Sequence, residues 1–161
     1  LQGKTCWFWE KEDMLERGFT LVELMIVIVI IAVISAIAVS NLLGSRLAAN
    51  EGAVVANLRT LVTVCEQYKT RFAVYPDSLA TLGDTGAIDS LFASATDQTH
   101  LKQGYYYDYT GGEEKWRCYA HPGTWNISGG RHFYVDQIGV IRYCLEENWA
   151  DEESTWLVVG Q

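Results

Sequence analysis

Between Leu24 and Val39 every residue is apolar except Ser35, and the run begins directly after a carboxylate, Glu23. No other feature restricts the fold so strongly. A helix needs about 20 apolar residues to cross a hydrocarbon layer of about 30 Å. Residues 19–43 meet that length if Glu23 and a few polar residues near the far end are tolerated. The apolar side chains occupy every side of the helix, which leaves no polar face for water. A buried core helix would need protein all around it, and the remaining chain is too small to supply that. A cleaved secretory signal has a shorter apolar core, about 7–15 residues, ending at a small-x-small site. Here the run continues as helical sequence through Ala48, Ala49 and Asn50, so a membrane-spanning helix is the expectation.

The formal net charge of -8 and the lack of a basic stripe argue against nucleic-acid binding and against attraction to anionic lipid. From residue 47 onward the pattern becomes amphipathic. Val54, Leu58, Leu61, Cys65, Tyr68 and Phe72 follow a 4-3-4-3-4 spacing that sums to one face, while Asn57, Arg59, Glu66, Lys69 and Arg71 fall mainly off it. Residues 44–72 are therefore predicted to continue the helix and lay one stripe on a head formed by residues 73–161. Tyr75-Pro76-Asp77-Ser78 ends the helix, because the residue before proline disfavours the α conformation. A short helical turn follows through Leu82, and another short helix is placed within 87–94.

Beyond Gly104 the stretches YYYDYT, KWRCYAH, HFYVD and GVIRY are rich in aromatic and β-branched residues and are separated by turn-forming segments. They read as antiparallel strands in two hairpins packed on the amphipathic stripe. The fold class is α+β: a long N-terminal spine helix packed on a small antiparallel sheet head. An acidic C-terminal tail follows.

Residues 1–18 read as a leader. MLERG, residues 14–18, would serve alone as a short polar leader, so translation is expected to start at Met14, with residues 1–13 an upstream extension. The segment G-F-T-L-V-E, Gly18 to Glu23, resembles the processing site of type IV pilins and of the pseudopilins of type II secretion. The likeness combines a charged leader, Gly before the cut, Phe after it, Glu as fifth mature residue and an unbroken apolar helix. It extends into NLLGSRLAANEGAVVANLRTL, YPDSLATLG and RHFYVDQIGVIRY. Two departures stand out: Ser40 where many pilins have Pro, and Ala32 where many have Gly. Any flexible point is placed between Ser40 and Gly44.

The resemblance implies that a membrane prepilin peptidase cuts between Gly18 and Phe19 and methylates the new amino terminus of Phe19. It also implies that Glu23 faces the positive terminus of Phe19, in the same or an adjacent subunit, as subunits join a filament. A carboxylate within lipid is costly and marks a functional partner by default. A local reading also exists: T-L-V-E fits a capping box, with Thr20 as N-cap. An assembly ATPase and an inner-membrane platform are partners by resemblance alone, with the chain itself as the main partner. The implied location is single-pass in the inner membrane, head periplasmic, and then in an extracellular filament for adhesion or motility.

Four cysteines are present; Cys6 falls in the leader, leaving Cys65, Cys118 and Cys144. Outside the cytoplasm disulfides persist. A bond between Cys118 and Cys144 is expected, with Cys65 as a small apolar residue and its pairing to either of the others the competing possibility. His100, His121 and His132 have no ligand-like spacing, so no metal ligand set is assigned. Asp136 and the cluster Glu146, Glu147, Asp151, Glu152 and Glu153 could hold calcium, as some pseudopilin heads do, but their spacing is not diagnostic, and a solvated acidic tail with no cofactor is the expectation. No nucleophile elbow, phosphate loop or paired-acid arrangement is present, and no enzyme activity is expected.

A structural pilin-like subunit is thus the leading expectation. A pseudopilin of a secretion machine is the alternative within the family, and a membrane-anchored binding module or enzyme the alternative outside it. Conduction through aromatics is poorly supported, because no aromatic occurs between Phe19 and Tyr68.

Overall fold

The computed structural model describes residues 18–147 and 156–160. It comprises two compact units that meet after Val39. The element shared by both is helix α1, Leu21–Phe72, 52 residues with no proline. Helix α1 closes at Ala73, whose positive φ of 65° and whose N–H donated to the Lys69 carbonyl at 2.8 Å make a left-handed C-terminal cap.

In the second unit, Val54, Leu58, Leu61 and Cys65 of α1 are wholly buried, so the 4-3-4 stripe is the core face. The stripe weakens at its end: Tyr68 is half-buried and Phe72 is exposed. Two short helices follow. Ser78 caps α2, Leu79–Asp84, through its hydroxyl, and Asp89 caps α3, Ser90–Ser94, by accepting from the Phe92 N–H at 2.9 Å. Their buried residues, Leu79, Leu82 and Phe92, join the core, where Phe92 meets Tyr107 edge to face at 4.6 Å.

Five antiparallel strands run in sequence order: β1 Tyr105–Gly111, β2 Trp116–Pro122, β3 His132–Asp136, β4 Arg142–Cys144 and β5 Leu157–Val158. The expected pair of hairpins is therefore a continuous meander. The fifth strand comes from the segment expected to be a solvated tail: Leu157 pairs with Tyr143, and Trp156 is buried beside Tyr119 and Tyr134. An aromatic residue in an acidic tail was the available sign of this return. The tail residues 148–155 lie outside the described residues, as do leader residues 1–17.

Alternation along the strands divides the side chains between two faces. Tyr105, Tyr107, Trp116, Cys118, Ala120, Phe133 and Val135 face α1. Tyr119, Tyr134 and Cys144 lie on the other face, beneath Trp156. Deep tyrosine hydroxyls are satisfied: Tyr105 donates to the Arg131 carbonyl at 2.9 Å, Tyr109 to the Pro76 carbonyl at 3.0 Å, and Tyr107 accepts from Asn57 Nδ2 at 2.9 Å. This is why a core so rich in phenols is compatible with burial.

Packing leaves no room for a side chain at Gly111, against the Pro76 carbonyl, or where the loop between β2 and β3 meets Tyr105. A Cβ added at Gly129 would lie 1.8 Å from the Tyr105 hydroxyl oxygen. Gly129→Ala is expected to destabilise the protein by about 1–3 kcal/mol through overpacking. Gly112→Ala, where the nearest atom is 3.6 Å away, is expected to change much less. Leu58→Ala should cost about 2–5 kcal/mol. Chemical unfolding of the three variants in detergent checks the ordering, and equal midpoints for Gly129→Ala and Gly112→Ala would refute it.

Candidate functional site

The candidate site is the start of α1. Gly18, Phe19 and Thr20 precede the helix and are exposed. The Glu23 N–H donates to Thr20 Oγ1 at 3.1 Å, and the Leu24 N–H donates to the Thr20 carbonyl at 3.2 Å. Thr20 therefore caps α1, satisfying a main-chain donor that the first turn would otherwise leave open. Glu23 sits in that first turn, where the helix dipole favours negative charge. Among the described residues, no cation or hydrogen-bond donor engages its carboxylate. The cap thus accounts for Thr20 and for the helix start.

Around and beyond Glu23 the apolar side chains are exposed on every side, among them Leu21, Leu24, Ile28, Ile31 and Ile34. The helix is long and apolar enough to cross a membrane. In the chain as it stands, the nitrogen of Phe19 is a peptide nitrogen and carries no charge. Hydrolysis of the bond between Gly18 and Phe19 would create an α-amino group, positive at neutral pH with an ordinary pKa of about 8, four residues from the acid.

The expected bond between Cys118 and Cys144 is not formed: Cys65, Cys118 and Cys144 are all free and buried. The reason is strand parity. Cys118 pairs with Val135 and Cys144 with His132; positions three apart on β3 point to opposite faces, and β3 itself separates the two cysteine strands. Cys118 belongs to the core under α1 and Cys144 to the opposite cluster. Cys65 and Cys118 share the core, where burial pushes the Cys65 thiol up to about 12 and raises Cys118 as well. Such thiols are poor nucleophiles.

Among the acids considered for calcium, Asp136 is buried and accepts from the Ile138 N–H at 2.9 Å and the Tyr134 hydroxyl at 3.3 Å. Those bonds explain its burial. Glu146 and Glu147 are exposed, while Asp151, Glu152 and Glu153 lie outside the described residues. Among the described residues, no three His, Cys, Asp or Glu side chains are gathered as a metal site.

One constellation was not foreseen from the sequence. His121 and His132, eleven residues apart, are both buried with their Nδ1 atoms 2.8 Å apart. Spacing along the chain could not reveal this contact, because it depends on the register of β2 against β3 across a nine-residue loop, residues 123–131. His100, in contrast, is exposed and pairs locally with Asp97.

The prokaryotic N-terminal methylation motif matches residues 13–39. The chain is 41% identical over 70 residues to the type IV wide pilus major component PilA4 of Thermus thermophilus, a match covering 44% of this chain and 53% of that protein. It is 32% identical over 91 residues to the type II secretion system core protein G of Escherichia coli, covering 55% of this chain and 63% of that one. For the core protein G of Klebsiella pneumoniae the identity is 41% over 61 residues, covering 38% and 44%. The chain thus spans about half the length of the curated relatives it matches.

For the cysteines the expected outcome is simple. Native protein should react slowly with an alkylating reagent, and denaturation without reductant should expose Cys65, Cys118 and Cys144 for complete labelling. Recovery of a Cys118–Cys144 cross-linked peptide would contradict the strand parity.

Proposed function

We propose that this chain, a relative of type IV pilins and type II secretion pseudopilins that carries the N-terminal methylation motif, is a structural subunit of a filament. It is stored in the inner membrane through the apolar part of α1, with the head in the periplasm. A prepilin peptidase cuts it after Gly18 and methylates Phe19. The subunit then leaves the lipid and joins a polymer of its own kind, driven by an assembly ATPase and a membrane platform. Its role is structural rather than catalytic.

The observation that carries this reading is the pairing of an all-round exposed apolar helix with a Thr20-capped Glu23 at its start, whose carboxylate no cation among the described residues engages. An apolar helix moving from lipid to neighbouring helices gains little hydrophobic energy, so close packing and polar pairs must steer it. Glu23 and the terminus of Phe19 provide such a pair. A subunit displaced along the axis would leave the acid without its cation in an apolar surrounding, which is costly. The pair therefore sets axial register.

Two destinations remain, an extracellular filament and a periplasmic pseudopilus. The former rests on the match to a wide pilus component, the latter on the longer match to core protein G. We favour the extracellular filament, because the RHFYVDQIGVIRY segment resembles a late strand pair of many bacterial pilins. Surface filaments lost on deletion of the gene would support it, and a secretion defect without surface filaments would support the pseudopilus.

Mass spectrometry of the mature protein is expected to find N-methylated Phe19 as the first residue. Glu23→Gln is expected to lower filament yield at least about tenfold, equivalent to about 1.4 kcal/mol. Thr20→Ala, which removes only the cap at about 1 kcal/mol, should lower it less. Wild-type yield from Glu23→Gln would end the pairing role, and a retained leader on exported protein would end the proposal.

A further inference from the structure

We propose that His121 and His132 form an acid-sensitive latch at the mouth of the loop between β2 and β3, holding that loop on α1 at neutral pH and releasing it in acid. The inference concerns the head alone and does not rest on the filament role.

Strand β2 ends at Pro122 and β3 begins at His132, so the loop leaves and returns between the two imidazoles. With the Nδ1 atoms 2.8 Å apart, one ring must donate and the other accept, which requires at least one neutral ring. Aromatic rings fix both: Trp125 of the loop stacks on His132 at 5.1 Å, while Tyr106 and Tyr119 lie 5.1 and 6.1 Å from His121.

The far part of the same loop is fastened to α1. Asn50 Nδ2 donates to the Ser128 carbonyl at 2.8 Å, and the Gly130 N–H donates to Glu51 Oε1 at 3.0 Å. Arg131 pairs with the other oxygen of Glu51 at 3.1 Å. The loop is therefore tied at its mouth by the histidines and farther out by two residues of the helix, and losing the first tie frees the chain that positions the second.

Every element around the pair contributes a neighbour. Beta1 supplies Tyr106, β2 supplies Tyr119, and β4 supplies Cys144, directly opposite His132. After β4 comes Glu147, which hydrogen-bonds His132 through its main chain and, with Gln98, Tyr106 and Trp125, lines a cavity of about 430 Å³ beside it. Among the described residues named here, only Glu147 brings a carboxylate. A first proton leaves the N–H···N contact in place but buries a charge. A second sets two N–H groups and two positive charges face to face, and the contact cannot survive.

Burial first, then the neighbouring His132, lowers the pKa of His121 from 6.5 to about 4. Burial lowers that of His132 too, with the Glu147 main chain opposing. Because the folded values lie below the unfolded ones, the latch is fully stabilising above pH 6.5 and is lost as pH falls through about 4.

Hydrogen exchange of the full chain in detergent micelles, corrected for the intrinsic pH dependence of the rate, tests this. Between pH 6.5 and 4, residues 123–131 and 48–52 are expected to lose at least about tenfold in protection while residues 105–110 keep theirs. His121→Phe keeps a ring against Tyr106 and Tyr119 but cannot titrate, and should abolish the response; His100→Gln should leave it intact. Should His121→Phe fail to fold, histidine ¹⁵N shifts of the wild type decide: the latch requires two coupled titrations below 6.5. Independent titration near that value, or protection lost evenly over the whole head, overturns it.

Discussion

A carboxylate at the entrance of an apolar helix is the constraint on which the rest depends. Glu23 is tolerable in the first turn because Thr20 closes the helix start and the backbone dipole favours negative charge there. Neither effect neutralises the side chain once water is removed. The proposed pairing supplies a cation from the amino terminus that a cut before Phe19 creates. In the proposed filament, one hydrolysis therefore turns a membrane-stored precursor into a subunit whose charges complement those of its neighbours.

The head solves a different problem. Its core has one helical stripe and a five-stranded meander, and phenols fill much of the space between them. Each deep hydroxyl finds an acceptor or donor: the Arg131 and Pro76 carbonyls on connecting segments, or Asn57 on α1. The aromatic core thereby also pins the loops. The second sheet face is closed by Trp156 and the histidine pair, which places two imidazoles in a buried position.

Much of this was legible in the sequence because it depends on local periodicity. The apolar run, the stripe through Val54, Leu58, Leu61 and Cys65, the helix end near Tyr75-Pro76 and four of the strands all follow from spacing and turn chemistry. What escaped depends on register. The expected bond between Cys118 and Cys144 ignored the face on which each residue lies, and a displacement of three positions along β3 decides that. The histidine contact and the clasp of Asn50 and Glu51 on the loop are likewise long-range, separated by eleven and by nearly eighty residues. Strand β5 was hidden because the acidic residues before it suggested a solvated tail.

Solid-state NMR on assembled polymer measures the central claim directly, through the distance between the α-nitrogen of Phe19 and the Glu23 carboxyl carbon, in isotopically mixed samples that separate contacts within and between subunits. The account predicts a charged carboxylate within about 4–6 Å of that nitrogen. A protonated Glu23, or one farther from every Phe19 terminus, would contradict it.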